Sequence, residues 1–504
     1  MVLLLAGWAS GQLGPPAGSS QGTTANQLPL SGKAGQSGSV SVSESAVPGI
    51  TSSVNTLNPV IQVQGPYTGS TRSTAAMPFS GKLSLAEAIQ RGLQYNLGAV
   101  GLSEAVHQAH GQSRVVRSAL LPNVNGTLQE TVEQLNLRAS GLRFNLPPIA
   151  GFTIPSIVGP FNFFDLRARL SQTVFDFAAL SNYRSAQEAA RGSEFSARDA
   201  RDLIVLAVGG AYLQVIAARA RLGSAQAQLE TADALYKQAF QQRQVGVVAQ
   251  VDVDRSEVQM LTQKQRLVSL QNDLAKQKIN LARMTGLPPT DQYDVSTDVP
   301  FSPAMQLTFE EAWRRASEQR ADLKAADAQI RAARHTLAAA HAERLPSLSL
   351  NGDYGVIGTN PAQSHGTFSV SGTVHFPIWQ GGRVEGDTEQ ANAALAQRQA
   401  EMEDLRSEIE AEVRNAYLDL QAASSQVEVA QRNVQVAKET LELTKQKFQA
   451  GVSDNVEVIQ AQESLVTADL DYVNSVFAHN LAKLSLARAM GDATKDLTQF
   501  LNTQ

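Results

Sequence analysis

The sequence predicts a mainly helical fold with a membrane β-barrel portion, built from two copies of one unit. Heptad seams of apolar residues occur in two long stretches, and each stretch follows a pair of segments in which apolar and polar residues alternate. The second seam lies about 205 residues after the first, and the match runs without a gap to the closing sequences LARMTG and LARAMG. The chain is therefore expected to be an internal duplication.

Each seam combines a row of larger apolar residues with a row of small ones. The second seam has an apolar residue every seven positions from Val413 to Phe448, and a small residue three positions after each, the last being Gly451. The first seam has the same arrangement between Val208 and Gly246. Rows of alanine allow close side-by-side helices, and helices of roughly 65 residues extend about 100 Å. The predicted long helices cover residues 180–243 and 383–448.

Composition limits the possible classes of protein. The 504 residues carry a net charge of −5 and show no basic patch, which argues against nucleic-acid binding. Cysteine is absent, which excludes disulfides and thiolate metal sites. The seven histidines form no metal-ligand cluster, so no metal and no cofactor is expected. No continuous run of about 18 apolar residues exists, so no transmembrane helix is expected.

The chain divides into five segments. The start, MVLLLAGWAS, resembles either the end of a secretory signal and its cleavage region or an ordinary terminus. Gly, Ser, Thr and Gln dominate the residues after this start, which predicts a flexible extension. The expected segments are the signal-like start and extension (1–78), the first repeat (79–286), a Pro- and Asp-bearing connector (287–306), the second repeat (307–492) and a tail (493–504).

Each repeat opens with a predicted helix cap. Ser84 is followed three residues later by Glu87, and Thr308 by Glu311, which is the capping-box pattern. The helices after these caps are expected to end before Pro122 and its counterpart in the second repeat.

After each proline the pattern changes to strict alternation, which predicts strands with one apolar and one polar face. Strands of this kind resemble the wall of a transmembrane barrel, and lipid tolerates only closed barrels. Four strands are too few to close one, so several chains must contribute, with two chains giving eight strands and three giving twelve. The predicted strands cover residues 123–135, 164–176, 347–356 and 367–377.

Glycines mark the points where the chain reverses or changes structure. Gly246 and Gly451 follow the long helices and supply the left-handed conformation of a turn. Six residues after each stands an acid, Asp252 or Glu457, in the first turn of the next helix, where it complements the helix dipole. A second transition, from strand to helix, is predicted at Trp379, Gly381 and Gly382, where the two glycines relax the backbone.

Together these motifs resemble the TolC-type outer membrane efflux protein family. The resemblance covers about residues 80–492. It rests on the paired openings LSLAEAIQRGLQYN and LTFEEAWRRASEQR, the strand exit HFPIWQGGRVEGDTEQA, the tips QVGVVAQVDVDRSEVQM and QAGVSDNVEVIQAQESL, and the two closing sequences.

The resemblance implies a homotrimer with a 12-strand β-barrel in the outer-membrane lipid, continued by a 12-column α-helical barrel across the periplasm. It implies a passive exit duct for multidrug efflux or type I secretion. Such a duct receives cargo from an inner-membrane pump of the RND or ABC type through a periplasmic adaptor, the membrane fusion protein.

The resemblance also implies that the tips, Gly246 with Asp252 and Gly451 with Ser453 and Glu457, form the periplasmic entrance and meet the adaptor. Three copies of Glu457 would form an acidic ring at an entrance constriction, which favours cations. The sequence departs from the family here. Gln460 stands where a second acid is expected, and Ser453 replaces an arginine that can bridge hairpins. Arg243 and Arg255 are the remaining candidates for a gate lock, although solvated surface charges explain both.

Two other classes remain open. A periplasmic coiled-coil adaptor or scaffold without a pore is also built on helical hairpins, but it would show one hairpin flanked by compact β-domain halves. An enzyme with an unrecognised site is the second alternative, although no GxSxG, P-loop, GxGxxG or HExxH motif stands in a supporting context. The protein is therefore not expected to be an enzyme.

Overall fold

The computed structural model describes residues 38–46, 57–71, 81–139, 141, 155–288, 293–296, 302, 307–450, 452 and 455–494. Within these residues the helices are α1 (Leu85–Tyr95), α2 (Leu97–Ser118), α3 (Phe177–Gln244), α4 (Gln250–Thr285), α5 (Phe309–Gln319), α6 (Ala321–Ala342), α7 (Arg383–Gln449) and α8 (Asn455–Ala489). The strands are β1 (Val40–Ala46), β2 (Leu57–Val63), β3 (Lys82–Leu83), β4 (Asn123–Asn136), β5 (Ile157–Phe175), β6 (Asp294–Val295), β7 (Ser347–Gly358) and β8 (His365–His375).

The two repeats have almost the same helix lengths. The pairs α1 and α5 (11 residues each), α2 and α6 (22 each), α3 and α7 (68 and 67), and α4 and α8 (36 and 35) match in order. Both repeats start with a cap, in which the Ser84 side chain accepts from the Glu87 N–H and Thr308 forms the full capping box with Glu311. The duplication therefore extends from sequence to backbone.

The seams form the contacts between the helices, as the heptads predict. Val413 and Val427 are fully buried, and the alanines between them are buried too. In the first seam, Val208 and Val215 are fully buried in the largest apolar core, while Leu222 is partly buried. Among the described helices, α3 alone has an 18-residue window apolar enough to cross a membrane (mean hydropathy 1.8), and 72% of that window is buried inside the chain. Its burial explains its apolar character.

Four strands form one antiparallel sheet in the order β4–β5–β7–β8. The first two belong to the first repeat and the last two to the second, so β5 and β7 join the repeats. The strand bounds differ from those expected. The second strand begins at Ile157 rather than at 164, because residues of the expected loop continue its pairing with β4. The fourth ends at His375, two residues before Pro377, which has no N–H to donate.

The N-terminal segment corrects one prediction. A flexible extension is expected over residues 1–78, yet its described part folds into the hairpin β1–β2 and a 3-10 turn at Gly65–Thr68. Apolar residues alternate on one side of the hairpin, with Val40 opposite Val63 and Val42 opposite Ile61, and they pack on the core that contains α3. The mean composition of the segment hides this short amphipathic pattern. The signal-like start lies outside the described residues.

Tyr67 fastens the segment to the helices. It is only 6% exposed, and a Cβ atom placed on Gly98 would lie 2.4 Å from its ring. The backbone carbonyl of Tyr67 accepts a hydrogen bond from the Asn96 amide at 2.8 Å. Asn96 is itself fully buried at the break between α1 and α2. The ring and the carbonyl together fix the segment at this break.

We expect Tyr67→Ala to release the N-terminal segment, because removing a buried aromatic ring costs about 3–5 kcal/mol. Limited proteolysis should then cleave residues 38–71 faster than in the unmodified protein. Tyr67→Phe keeps the ring and should retain the original protection. Equal protection in the alanine variant would contradict the docking role of the ring.

Candidate functional site: an amphipathic sheet above two helical tips

The sheet has one apolar face and one polar face. Residues opposite each other in register lie on the same face, and the registers align apolar residues across all four strands. Many of these side chains are more than half exposed. They include Val124, Leu128, Val132, Tyr354, Phe368 and Val370. An exposed apolar face of this size is typical of contact with lipid or with another protein.

The polar face carries a charged ladder that the sequence alone does not predict. Arg167 on β5 donates through Nε to Asp165 at 3.2 Å, and its guanidinium also pairs with Asp353 on β7. Nη2 lies 3.4 Å from the Thr367 hydroxyl on β8. One side chain therefore links three strands and both repeats. Alternation predicted a polar face, but the pairing depends on the register between β5 and β7.

The two strands at the sides of the sheet are β4 and β8, and each has a neighbour on one side only in the described chain. An unpaired strand edge presents a row of free N–H and C=O groups, which is a template for pairing with another chain. In lipid such groups cannot be satisfied by water. The apolar face and the two open edges therefore occur in the same element.

Exposed aromatic residues surround the change from strand to helix. Trp379 is 87% exposed, and Gly381 and Gly382 adopt φ of 62° and 85°, in the left-handed region that glycine favours. At the corresponding place in the first repeat, Phe175 and Phe177 form an edge-to-face pair with ring centroids 4.4 Å apart. Aromatic residues at the ends of barrel strands are typical of a membrane–water interface. The Phe175–Phe177 pair was not singled out from the sequence.

At the first tip, Gly246 has φ of 81°, and Val247 N–H donates to Gln242 C=O at 2.9 Å, which closes the end of α3. Asp252 lies in the first turn of α4, and Arg255 approaches it at 3.6 Å within the same helix. A half-exposed pair of this kind contributes little, so Arg255 acts as a surface charge here.

The second tip repeats the helix end. Val452 N–H donates to Lys447 C=O at 3.0 Å, in the same i to i−5 pattern. Glu457 lies in the first turn of α8 and is exposed, and Gln460 is exposed one turn later. Gly451 and Ser453 lie outside the described residues. Asp252 and Glu457 therefore stand at equivalent positions of the two tips.

Ionic contacts fasten α3 to the helices of the second repeat. Arg488 Nη2 lies 3.0 Å from Asp199 Oδ1, and Arg331 Nε lies 2.7 Å from Glu188 Oε2. Burial raises the pKa of Asp202 to about 6, although the Thr494 N–H donates to its carboxylate at 3.2 Å. These contacts lie at the joint between repeats.

A second buried cluster lies at the break between α5 and α6. Arg320 is 2% exposed and pairs with Asp322 at 2.6 Å and with Glu412. Burial alone would raise the pKa of Asp322, but the hydrogen bond and charge of Arg320 hold it below the usual value. Among the described residues no group of three or more His, Cys, Asp or Glu side chains is arranged to hold a metal.

An amphipathic sheet with open edges, placed on two long helical hairpins, defines a channel-forming protein of the outer membrane. The sequence model of a family described as "Outer membrane efflux protein" matches residues 103–287 and 313–492. The chain belongs to this family and is located in the outer membrane. Membership favours the channel over the periplasmic adaptor, and the family is one of channels rather than enzymes.

Relatives and solved structures agree with this assignment. The outer membrane protein TolC of Escherichia coli (strain K12) is 24% identical over 357 residues, which cover 66% of this chain and 70% of the relative. The pyoverdine export outer membrane protein OpmQ of Pseudomonas aeruginosa is 23% identical and covers 77% of this chain and 80% of its own length. The CmeC outer membrane channel of Campylobacter jejuni has the same fold, with a TM-score of 0.72 at 16% identity over 82% of this chain and 89% of that one.

We expect Arg167→Met to weaken the sheet, because the change leaves Asp165 and Asp353 close together without their shared cation. Loss of one partner of a partly buried ion pair should cost about 1–3 kcal/mol. The temperature at which the detergent-solubilised protein loses its β-sheet circular dichroism should fall by several degrees. Arg169→Met is the matched control, since Arg169 is exposed on the same face and has no ion pair among the described residues. Equal shifts in both variants would show that the ladder has no special role.

Proposed function

We propose that three copies of the chain close into one duct, with twelve strands in the outer membrane and twelve helical columns below. The open edges and exposed apolar face of the four-stranded sheet carry this proposal. A barrel satisfies every backbone group and turns the apolar face to lipid, which leaves the polar face toward water. Three chains provide twelve strands, enough to enclose a water-filled lumen wider than an eight-stranded barrel permits.

We further propose that the duct is passive and forms the outer part of a tripartite efflux or type I secretion system. Its cargo would arrive from an inner-membrane pump of the RND or ABC type through a periplasmic adaptor. Relatives named for pyoverdine export and for alkaline protease secretion support this role, since both kinds of cargo leave the cell. Hydroxyl groups, with a histidine at each end, line the polar face of β8, which suits passage of varied cargo and leaves selection to the pump.

The helical tips would form the periplasmic entrance and the surface that meets the adaptor. This assignment covers Gly246 and Asp252 at the first tip and Gly451, Ser453 and Glu457 at the second. In a trimer, three copies of Glu457 would give an acidic ring, with Gln460 one turn above it. Trp379 and the glycines after it would mark the lower boundary of the membrane.

Planar-bilayer recording of the purified protein tests the proposed function. We expect discrete pore currents and a trimer in detergent that resists sodium dodecyl sulfate until it is heated. Absence of both currents and trimers would contradict the duct.

We expect Glu457→Gln to lower the preference of the pore for cations. Charges at contact distance in water interact by about 1 kcal/mol, so the cation-to-anion permeability ratio should fall about two- to fivefold. The reversal potential in a potassium chloride gradient measures this ratio. Asp252→Asn is the matched control, because it removes an acid from the same helical position of the other tip, and it should change the ratio less. An unchanged reversal potential in Glu457→Gln would show that Glu457 does not line the constriction.

A further inference from the structure

The joint between the two repeats can serve as a template for the joint between two chains. Within one chain, the first repeat presents α3 and β5, and the second repeat meets them with α6, α8 and β7. On the other side of the second repeat, α7 and β8 occupy the positions of α3 and β5. On the other side of the first repeat, α2, α4 and β4 occupy the positions that α6, α8 and β7 have in the second repeat. Because the helix lengths match, the free sides carry the same arrangement of helices as the joined sides.

One ion pair at the inner joint has its residue types preserved at the free sides. Asp199 on α3 pairs with Arg488 on α8 at 3.0 Å, and both side chains are mostly buried. The residues 205 positions away in the other repeat are Asp404 on α7 and Arg283 on α4. Both are exposed, and neither has an ion pair among the described residues. One chain therefore carries an aspartate on one free side and an arginine on the other, and neither has an ionic partner among the described residues.

Burial at equivalent positions shows the same contrast. Leu213 on α3 and Val466 on α8 are 3% and 4% exposed. Their counterparts, Leu418 on α7 and Leu261 on α4, are 53% and 51% exposed. Leucines at these places are consistent with a contact that the single chain leaves open.

We propose that the joint between neighbouring chains repeats the joint between the repeats, so that Asp404 of one chain pairs with the partner subunit's Arg283. This inference rests on the proposed closed ring and adds its residue contacts. The partner is a second copy of this chain, with α4 and β4 facing α7 and β8.

The same template fixes the register between β8 and the partner's β4. Asn123 and Ser347 each follow the proline after the preceding helix, 224 positions apart, and they pair with Ser171 and His375, 204 positions apart. With these two offsets, the inner pair Leu170–Gly352 becomes Val374 opposite the partner's Leu128.

By the same offsets, the inner pair Leu166–Val356 becomes Val370 opposite the partner's Val132. All four transferred residues are at least half exposed in the single chain, with Val374 at 50% the least. The transferred register thus places exposed apolar residues against exposed apolar residues on one face. A slip of one residue would oppose apolar and polar faces instead.

Charge reversal tests the ion pair. Asp404→Arg and Arg283→Asp should each lower the temperature at which the trimer dissociates in sodium dodecyl sulfate, because each change places like charges together in all three joints. The double variant should recover at least half of the lost temperature. Asp404→Arg combined with Lys264→Asp is the control, since Lys264 lies about 28 Å further along α4, and it should show no recovery.

Cysteine pairs test the register, because the chain has no cysteine of its own. Val370→Cys with Val132→Cys should give a covalent trimer after oxidation, since paired residues of adjacent strands lie within disulfide reach. Within one chain these residues lie on opposite edge strands, three strand spacings (about 14 Å) apart laterally, and Val132 is a further eight residues along β4 from the residue in line with Val370, so the pair is beyond that reach. The pair Val370→Cys with Leu128→Cys is displaced by four residues from the proposed register and should not cross-link.

The outcomes separate the inference from the function on which it rests. Trimers that conduct but show neither charge recovery nor cross-linking would overturn the proposed joint and leave the duct intact. Absence of trimers and of pore currents in the unmodified protein would overturn the duct itself. Cross-linking of the displaced pair in place of the aligned one would overturn the transferred register.

Discussion

The constraint on which the structure depends is the hydrogen bonding of the two outer strands. Each backbone N–H or C=O left unpaired in hydrocarbon costs several kcal/mol, and among the described strands β4 and β8 each have one edge of such groups without a neighbouring strand. The exposed apolar residues on the same strands make water an equally poor environment for the sheet. Neither solvent suits the four described strands alone, which supports the proposed closure by strands from other chains.

The helices must close into a ring with the same number of chains as the strands, because each repeat contains both a strand pair and its helical columns. A ring that closes the sheet with three chains must also close the helices with three. The rows of alanine make this possible, since small residues on α7, such as Ala416 and Ala423, lie buried at the contact with its neighbours. Bulkier side chains there would widen the helical layer relative to the strands above it.

The sequence predicted those features that depend on local periodicity. The seam from Val413 to Leu441 is buried as the heptads require, and the reversal at Gly246 has the expected left-handed backbone. Features that depend on contacts between distant segments were missed. The N-terminal hairpin is stabilised by packing on α3, and the Arg167 ladder depends on the register between the repeats. Both are contacts between segments far apart in the sequence, so no local sequence pattern predicts them. The assignments of the tip residues to an entrance and an adaptor surface remain predictions.

The duplication preserved the backbone but changed the chemistry at the joints. Asn96 and Arg320 occupy equivalent breaks with nearly the same backbone angles, and each donates to a main-chain carbonyl at the end of the repeat, but Arg320 also binds two carboxylates.

The ion pair between Glu188 and Arg331 shows the same divergence, since its counterparts in the other repeat are Ala393 and His107 and cannot form it. The inner joint therefore has an ion pair that the proposed joint between chains could not repeat. The proposed ring would therefore have three-fold rather than six-fold symmetry, because its two kinds of joint would differ in side chains while sharing one backbone plan. With one ion pair fewer, the proposed contacts between chains would be the weaker of the two kinds.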